Sequence, residues 1–352
     1  MNFSLRSNEG SCTKCLFWVL LLLISCSLFS INLSGRAHGQ DAVETEAFDK
    51  AFKGLSDGSA KVRGAAARKL GQLTLNPEIA VPALTFALKD SDMRVRSSAA
   101  QSIGKFGGDA KFAVSFLIQE VEKINRRRDA VGDSAEAKAA YRATHGVIGD
   151  GVRFMSNETH FLSHCISTLG KIEADPDTVV PVLIHALKDD DEAVRGAAAG
   201  ALGEFGADAK NAMIPLIAAL GDESQAVRLR ATEAFWNFGP AASGAAPALT
   251  KCLNDEDVTV RIRAAVALYK VAPEDPNEAA VQVLMDTMRN QDWPFRADAA
   301  YAFTKIDAEK VTPDAVDALR DSETDEHEQV RRTATLTLRQ IGAAKTADGP
   351  SK

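Results

Sequence analysis

Apolar positions along the chain fall into two alternating patterns. One runs Val-Arg, small residues, then Leu-Gly and a closing apolar-Gly. It appears at Val62-Arg63 to Gly71, Val95-Arg96 to Gly107, Val194-Arg195 to Gly206, Val227-Arg228 to Gly239, Val260-Arg261 to Val271, Phe295-Arg296 to Ile306 and Val330-Arg331 to Gly342. The other precedes it, with a proline opening an apolar run that closes on Leu, as at Pro82 to Leu88, Pro181 to Leu187, Pro215 to Leu220, Pro247 to Leu253 and Pro313 to Leu319. Apolar residues at i, i+3, i+4 and i+7 make one buried stripe, so each run predicts a helix. Proline in the first helical turn costs no hydrogen bond there. Asp92, Asp191, Asp222 and Asp257 stand where a side-chain oxygen caps the second helix, and the closing glycine stops it.

The spacing between the seven arginines is 33, 99, 33, 33, 35 and 35 residues, and 99 is three periods of 33. Two periods therefore lie between Arg96 and Arg195. One holds an eroded eighth copy, His160–Ile172, with Leu162 at the arginine position; the other is an insertion, Asn125–Glu158. Two helices per period, about eight times, predict an all-α α-solenoid over residues 40–342. Glu44–Leu55, which lacks the opening proline, reads as the N-terminal cap, and residues 343–352 read as a flexible tail.

The run Asp191–Gly206 (DEAVRGAAAGALGEFG) resembles the HEAT repeat, in the subtype first described in phycobilisome bilin lyases, and the resemblance covers roughly residues 44 to 342. It implies a protein-binding scaffold whose ligands are read by non-consensus positions. A similar eight-repeat array, deoxyhypusine hydroxylase, holds two irons through His-Glu pairs following the repeat arginine. Here those dipeptides are Gly64-Ala65, Ser97-Ser98, Gly196-Ala197, Leu229-Arg230, Ile262-Arg263, Ala297-Asp298 and Arg332-Thr333, and His327-Glu328 lies before its arginine. The reading is therefore non-enzymatic, with no cofactor.

Composition, 45% apolar and 25% charged over 352 residues, excludes collagenous, wholly disordered and multi-span membrane chains. The formal charge of −7 argues against nucleic acid as a partner. Residues 1–39 differ from the rest: Arg6 and Lys14 precede the run Leu16–Ile24, and Ala37-His38-Gly39 places small residues at a cleavage site before Gln40. This predicts a signal peptide and an exported protein. Two alternatives are a membrane anchor over residues 16–33 and a lipoprotein acylated at Cys26. Removal of residues 1–39 leaves Cys165 and Cys252, too few for a disulfide framework.

Arg63, Arg96, Arg195, Arg228, Arg261, Arg296 and Arg331 are expected to form a structural ladder with acids between stacked repeats. Three departures from the repeat are candidate sites. The insertion, which includes Ser134–Ala143 as a possible short helix, is an interaction loop or a tolerated decoration. His160 and His164, at i and i+4, join His145 and Glu158 as the ligands of an alternative, metal- or cofactor-dependent reading; alignment of His164 and Cys165 with inward alanines favours a structural pair. Trp236 and Tyr269 replace the Gly71, Gly104, Gly170 and Gly203 position on consecutive second helices, with Trp293 and Tyr301 in the next repeat. Exposed aromatics in a groove anchor peptides, so the expected partner is a protein or peptide, and a membrane is met only through the N-terminal segment.

Overall fold

The structure is a computed structural model that describes residues 39–129, 157–273 and 277–347. Among the described residues eight helix pairs follow one another: α1 (Gly39–Gly54) with α2 (Ala60–Leu73), α3 (Pro77–Ala87) with α4 (Met93–Ile103), α5 (Val114–Asp129) with α6 (Asn157–Lys171), and α7 (Pro176–Ala186) with α8 (Glu192–Phe205). They continue with α9 (Met213–Ala219) and α10 (Gln225–Phe238), α11 (Ala246–Cys252) and α12 (Val258–Val271), α13 (Glu278–Thr287) and α14 (Trp293–Ala302), and α15 (Pro313–Ser322) and α16 (Glu328–Ala347). Each second helix packs along the next, forming one continuous layer. That packing is thinnest between α12 and α14. Among the described residues no helix is long and apolar enough to cross a membrane.

Side chains on the stripes meet in one core that includes Leu70, Leu84, Ile103, Leu117, Leu169 and Phe235, all buried. Asp92, Asp191 and Asp257 cap α4, α8 and α12 by accepting the N–H of Arg94, Ala193 and Val260. Asp222 is not a cap: Ser224 holds that place in α10, and Asp222 takes a guanidinium instead. Gly206 and Gly239, at φ of 50° and 57°, end α8 and α10 in a conformation that L side chains rarely adopt. Pro82 and Pro181 do not open their helices, which begin five residues earlier at Pro77 and Pro176. In the fifth and sixth repeats the equivalent residues ahead of Pro215 and Pro247 are tighter 3-10 turns, Gly206–Ala212 and Gly239–Ala245.

Two boundaries differ from the sequence expectation. Asn125–Asp129 and Asn157–Glu158 belong to the flanking helices α5 and α6, so the inserted segment is confined to 130–156. Residues 343–347 continue α16 rather than beginning a tail. The export segment, residues 1–38, and Ser134–Ala143 lie outside the described residues.

Glycine sets the spacing of the second-helix layer. A Cβ at Gly170 would sit 2.7 Å from the Ala201 Cα, and one at Gly203 2.8 Å from the Ala234 Cα. Helices this close are held by dispersion over a long seam. In the later repeats Trp236 and Tyr269 occupy that position.

The arginines form the expected ladder at four steps. Nε and Nη2 fork onto an aspartate in the inter-helix turn of the following repeat: Arg63 on Asp90 (2.6 and 2.8 Å), Arg195 on Asp222 (both 2.8 Å), Arg228 on Asp255 (2.8 and 2.9 Å) and Arg296 on Asp325 (2.8 and 2.9 Å). Nη1 of each donates to two carbonyls of its own turn, as Arg228 does to Asp222 and Glu223. Oδ1 of each aspartate also accepts the N–H two residues on. The hydrogen-bonded guanidinium holds Asp90 and Asp325 below the usual carboxylate range.

Three members of the expected ladder depart from it. For Arg96 the position 27 residues on is Lys123, within α5, and its guanidinium lies 5.6 Å over the Phe161 ring. Arg331, in the last described repeat, donates to the carbonyls of Asp325 and Glu326, with no carboxylate partner among the described residues. For Arg261 the aspartate position is held by Asn290, which lines the same cavity. A fifth rung is completed from elsewhere. Asp189 would pair with the residue at 162, which is leucine, and instead Arg128 at the end of α5 donates to it at 2.7 Å. Arg128 also donates to Thr159 Oγ1 at 3.1 Å, and Arg127 lies 3.3 Å from Glu158. Both ends of the insertion are thereby tied to the ladder. Burial nonetheless holds Asp189 above its ordinary value.

Candidate functional site

Two of the four predicted aromatic residues meet. Trp236, half-buried on α10, and Tyr301, 48% exposed near the end of α14, line one groove of about 220 Å³ with Arg263, Val266 and Lys305. Trp236 also lines an adjoining hollow of about 350 Å³ with Lys270, Lys305, Phe303 and Ile306. Lys270 Nζ lies 5.0 Å from the Trp236 ring and Lys305 Nζ 5.0 Å from Tyr301, within reach of the negative ring faces. Glu233 is engaged by Arg230 at 3.0 Å and Arg263 at 3.6 Å, so its charge is offset. The groove is apolar at its floor and cationic at its rim.

The other two aromatics are placed elsewhere. Tyr269 is 5% exposed and is a packing residue, not the exposed anchor expected. It occupies the seam position that glycine fills in α8, on the helix whose packing against the next second helix is the sparsest of the layer. Trp293 is exposed but opens α14, eight residues before Tyr301, roughly 12 Å away along the helix axis at 1.5 Å per residue. There it stacks on His327, with ring centroids 3.8 Å apart and planes 6° from parallel. Lys270 and Lys305 were not singled out from the sequence; their signal is a single cation beside each aromatic, which occurs on any solvated helix face.

His160 and His164 stand edge to face with centroids 4.2 Å apart. Burial, with the charge of His160, holds the His164 imidazole down to about 4. Glu158 is buried and faces Arg127, and His145 lies outside the described residues. Among the described residues no three His, Cys, Asp or Glu side chains gather as a ligand set. Cys165, fully buried on the same helix, has its thiol pushed well up by desolvation.

A family model of HEAT repeats matches residues 48–131, 159–215 and 211–304, breaking at the insertion. No curated protein matches the chain. Among solved structures it is similar to the complex of CpcE and CpcF of phycocyanin lyase from Nostoc sp. PCC7120, at 21% identity over 76% of this chain and 95% of that one, with a TM-score of 0.45. It is also similar to YibA of Escherichia coli, at 16% identity over 87% and 98% with a TM-score of 0.48. Human deoxyhypusine hydroxylase in complex with glycerol is similar at 19% identity over 87% and 99%, with a TM-score of 0.33.

Proposed function

The chain belongs to the HEAT-repeat family, and from that premise we propose that it is an exported, non-catalytic scaffold that binds a protein partner through the groove between α10 and α14. The observation that supports this reading is Trp236, a half-buried ring shared by two adjoining hollows with lysines on both sides. A large ring that is partly desolvated and rigidly seated is the usual energetic centre of a peptide interface. The apolar floor and the rim of Arg263, Lys270 and Lys305 suit a segment carrying one or two apolar anchors beside acidic residues. A stacked array holds such a surface rigid, which lowers the ordering cost of binding.

The test is selection of a displayed peptide library on the full chain, with affinities then measured for Trp236→Ala, Tyr301→Ala and Trp293→Ala. Peptides that bind the parent and lose roughly thirtyfold on Trp236→Ala, about 2 kcal/mol, support the reading. Peptides insensitive to Trp236 and Tyr301, or equally sensitive to Trp293, refute the site. Export is tested by N-terminal sequencing of the protein from its native source, with Gln40 the expected first residue.

A further inference from the structure

Arg331, in the last repeat, is anchored without an aspartate, and among the described residues one step between two successive repeats shares that state. Arg261 is anchored as its counterparts are: Nη1 donates to the carbonyls of Asp255 at 2.7 Å and Glu256 at 3.2 Å. In Arg228 and Arg296 that same anchoring aims Nε and Nη2 at an aspartate. The residue at the aspartate position for Arg261 is Asn290. Its Oδ1 accepts the Asp292 N–H at 2.9 Å, as the aspartates' Oδ1 atoms do for their own turns. That leaves the amide NH₂, a donor, as the group available to the guanidinium, which also only donates. Two donors cannot satisfy each other, and among the described residues no carboxylate lies within ion-pair distance of Arg261. The guanidinium instead lines an open cavity of about 390 Å³, with Asn290, Leu253 and Val283 on its walls.

We infer that this vacant rung is a carboxylate-binding site, taking the terminal or side-chain carboxylate of a ligand between Arg261 and Asn290. The class of anion follows from the neighbouring rungs. The preformed fork matches two coplanar oxygens, as it does with Asp255 and Asp325, and bidentate arginine pairing is the stronger, geometrically selective form of this contact. Two further carboxylates line the cavity, Asp255, held by Arg228, and Asp286, which faces Arg289 at 3.6 Å and accepts from Gln282 at 2.8 Å. They disfavour a dianion such as phosphate by like-charge repulsion and tolerate a monoanion. The site shares no residue with the Trp236–Tyr301 groove and does not depend on it.

The experiment follows arginine Nε–H signals of the full chain by NMR, with Arg261 assigned by its loss in Arg261→Lys. Probes are N-acetylglycine, for a chain-terminal carboxylate, and N-acetylaspartate amide, for a side chain, each against sodium chloride at equal ionic strength and against inorganic phosphate. The expected result is a saturable shift of the Arg261 signal with at least one carboxylate, several-fold larger than with chloride or phosphate; the probe binding more tightly identifies the source. In Asn290→Asp, which supplies the acceptor internally, the signal is expected already displaced and unresponsive. No saturable shift, a larger response to phosphate, or an undiminished response in Asn290→Asp overturns the inference. Arg261→Gln, which leaves Asn290 untouched, is the second variant, read at the Asn290 side-chain NH₂ signal: its response to the carboxylate is expected to vanish, and a response kept at the parent's strength overturns the inference.

Discussion

The two glycines of α8, Gly200 and Gly203, make opposite predictions for the same substitution. At Gly203 a new Cβ would lie 2.8 Å from the Ala234 Cα and 3.1 Å from its Cβ, where ordinary contact begins near 3.4 Å. The obstacle is backbone, so α8 and α10 must separate by about 0.6 Å along a seam whose dispersion energy falls steeply with distance. Overpacking of this kind costs about 1–3 kcal/mol. Replacing glycine inside a helix returns about 1 kcal/mol, so Gly203→Ala is expected to destabilise by up to about 2 kcal/mol. At Gly200 the nearest atom is Arg230 Cδ at 3.9 Å, and only the helix-propensity gain remains. Gly200→Ala is therefore expected to stabilise by about 0.5–1 kcal/mol. Urea unfolding followed by far-ultraviolet circular dichroism separates them, with midpoints compared at equal slope. A Gly203→Ala midpoint at or above that of Gly200→Ala refutes glycine as the determinant of helix spacing.

Further expectations follow from the ladder and the histidine pair. Arg228→Met leaves Asp255, whose side chain is 9% exposed, without its counter-ion and is expected to cost about 3 kcal/mol by the same urea assay, whereas Arg261→Met costs no more than about 1. Arg128→Ala is expected to destabilise by about 2–3 kcal/mol in the same urea assay, with stability regained in the double variant carrying Leu162→Arg. The folded-state value of His164, about 4, is below its ordinary 6.5, so the unfolded chain takes up the proton first. Its contribution is complete above pH 6.5 and is lost as pH falls toward 4, by about 1 kcal/mol given partial exposure, and His164→Asn flattens that acid limb of the stability profile.

Periodicity made the helix pairs and four of the rungs legible, because a 33-residue step brings Arg195 and Asp222, 27 residues apart in sequence, to the same edge of adjacent repeats. It could not reveal the Arg128–Asp189 rung, since its partners are 61 residues apart and lie across the insertion. Trp236 and Tyr269 share one repeat position and differ in exposure, because position fixes which helix a side chain faces and the neighbours decide whether it is covered. Pro82 and Pro181 misled because they stand inside α3 and α7, where proline forgoes a hydrogen bond, while the helix-opening place is held by Pro77 and Pro176. Asn290 was not singled out from the sequence, and its meaning came only with the guanidinium geometry of the rungs around it.

An array whose repeats touch only their neighbours is as strong as its weakest junction. Between α12 and α14 four things coincide: sparse helix contact, a tyrosine ring where glycine would draw the helices together, a rung without its aspartate, and a step of 35 residues. Among the described residues six helix pairs lie before that junction and two after it. Trp236 and Tyr301 stand on opposite sides of it, one on α10 and the other on α14. The groove is thus a gap spanning a mechanical fault line, and a segment seated in it works as a splint, converting binding energy into resistance of the whole array to bending and to unfolding from its C-terminal end.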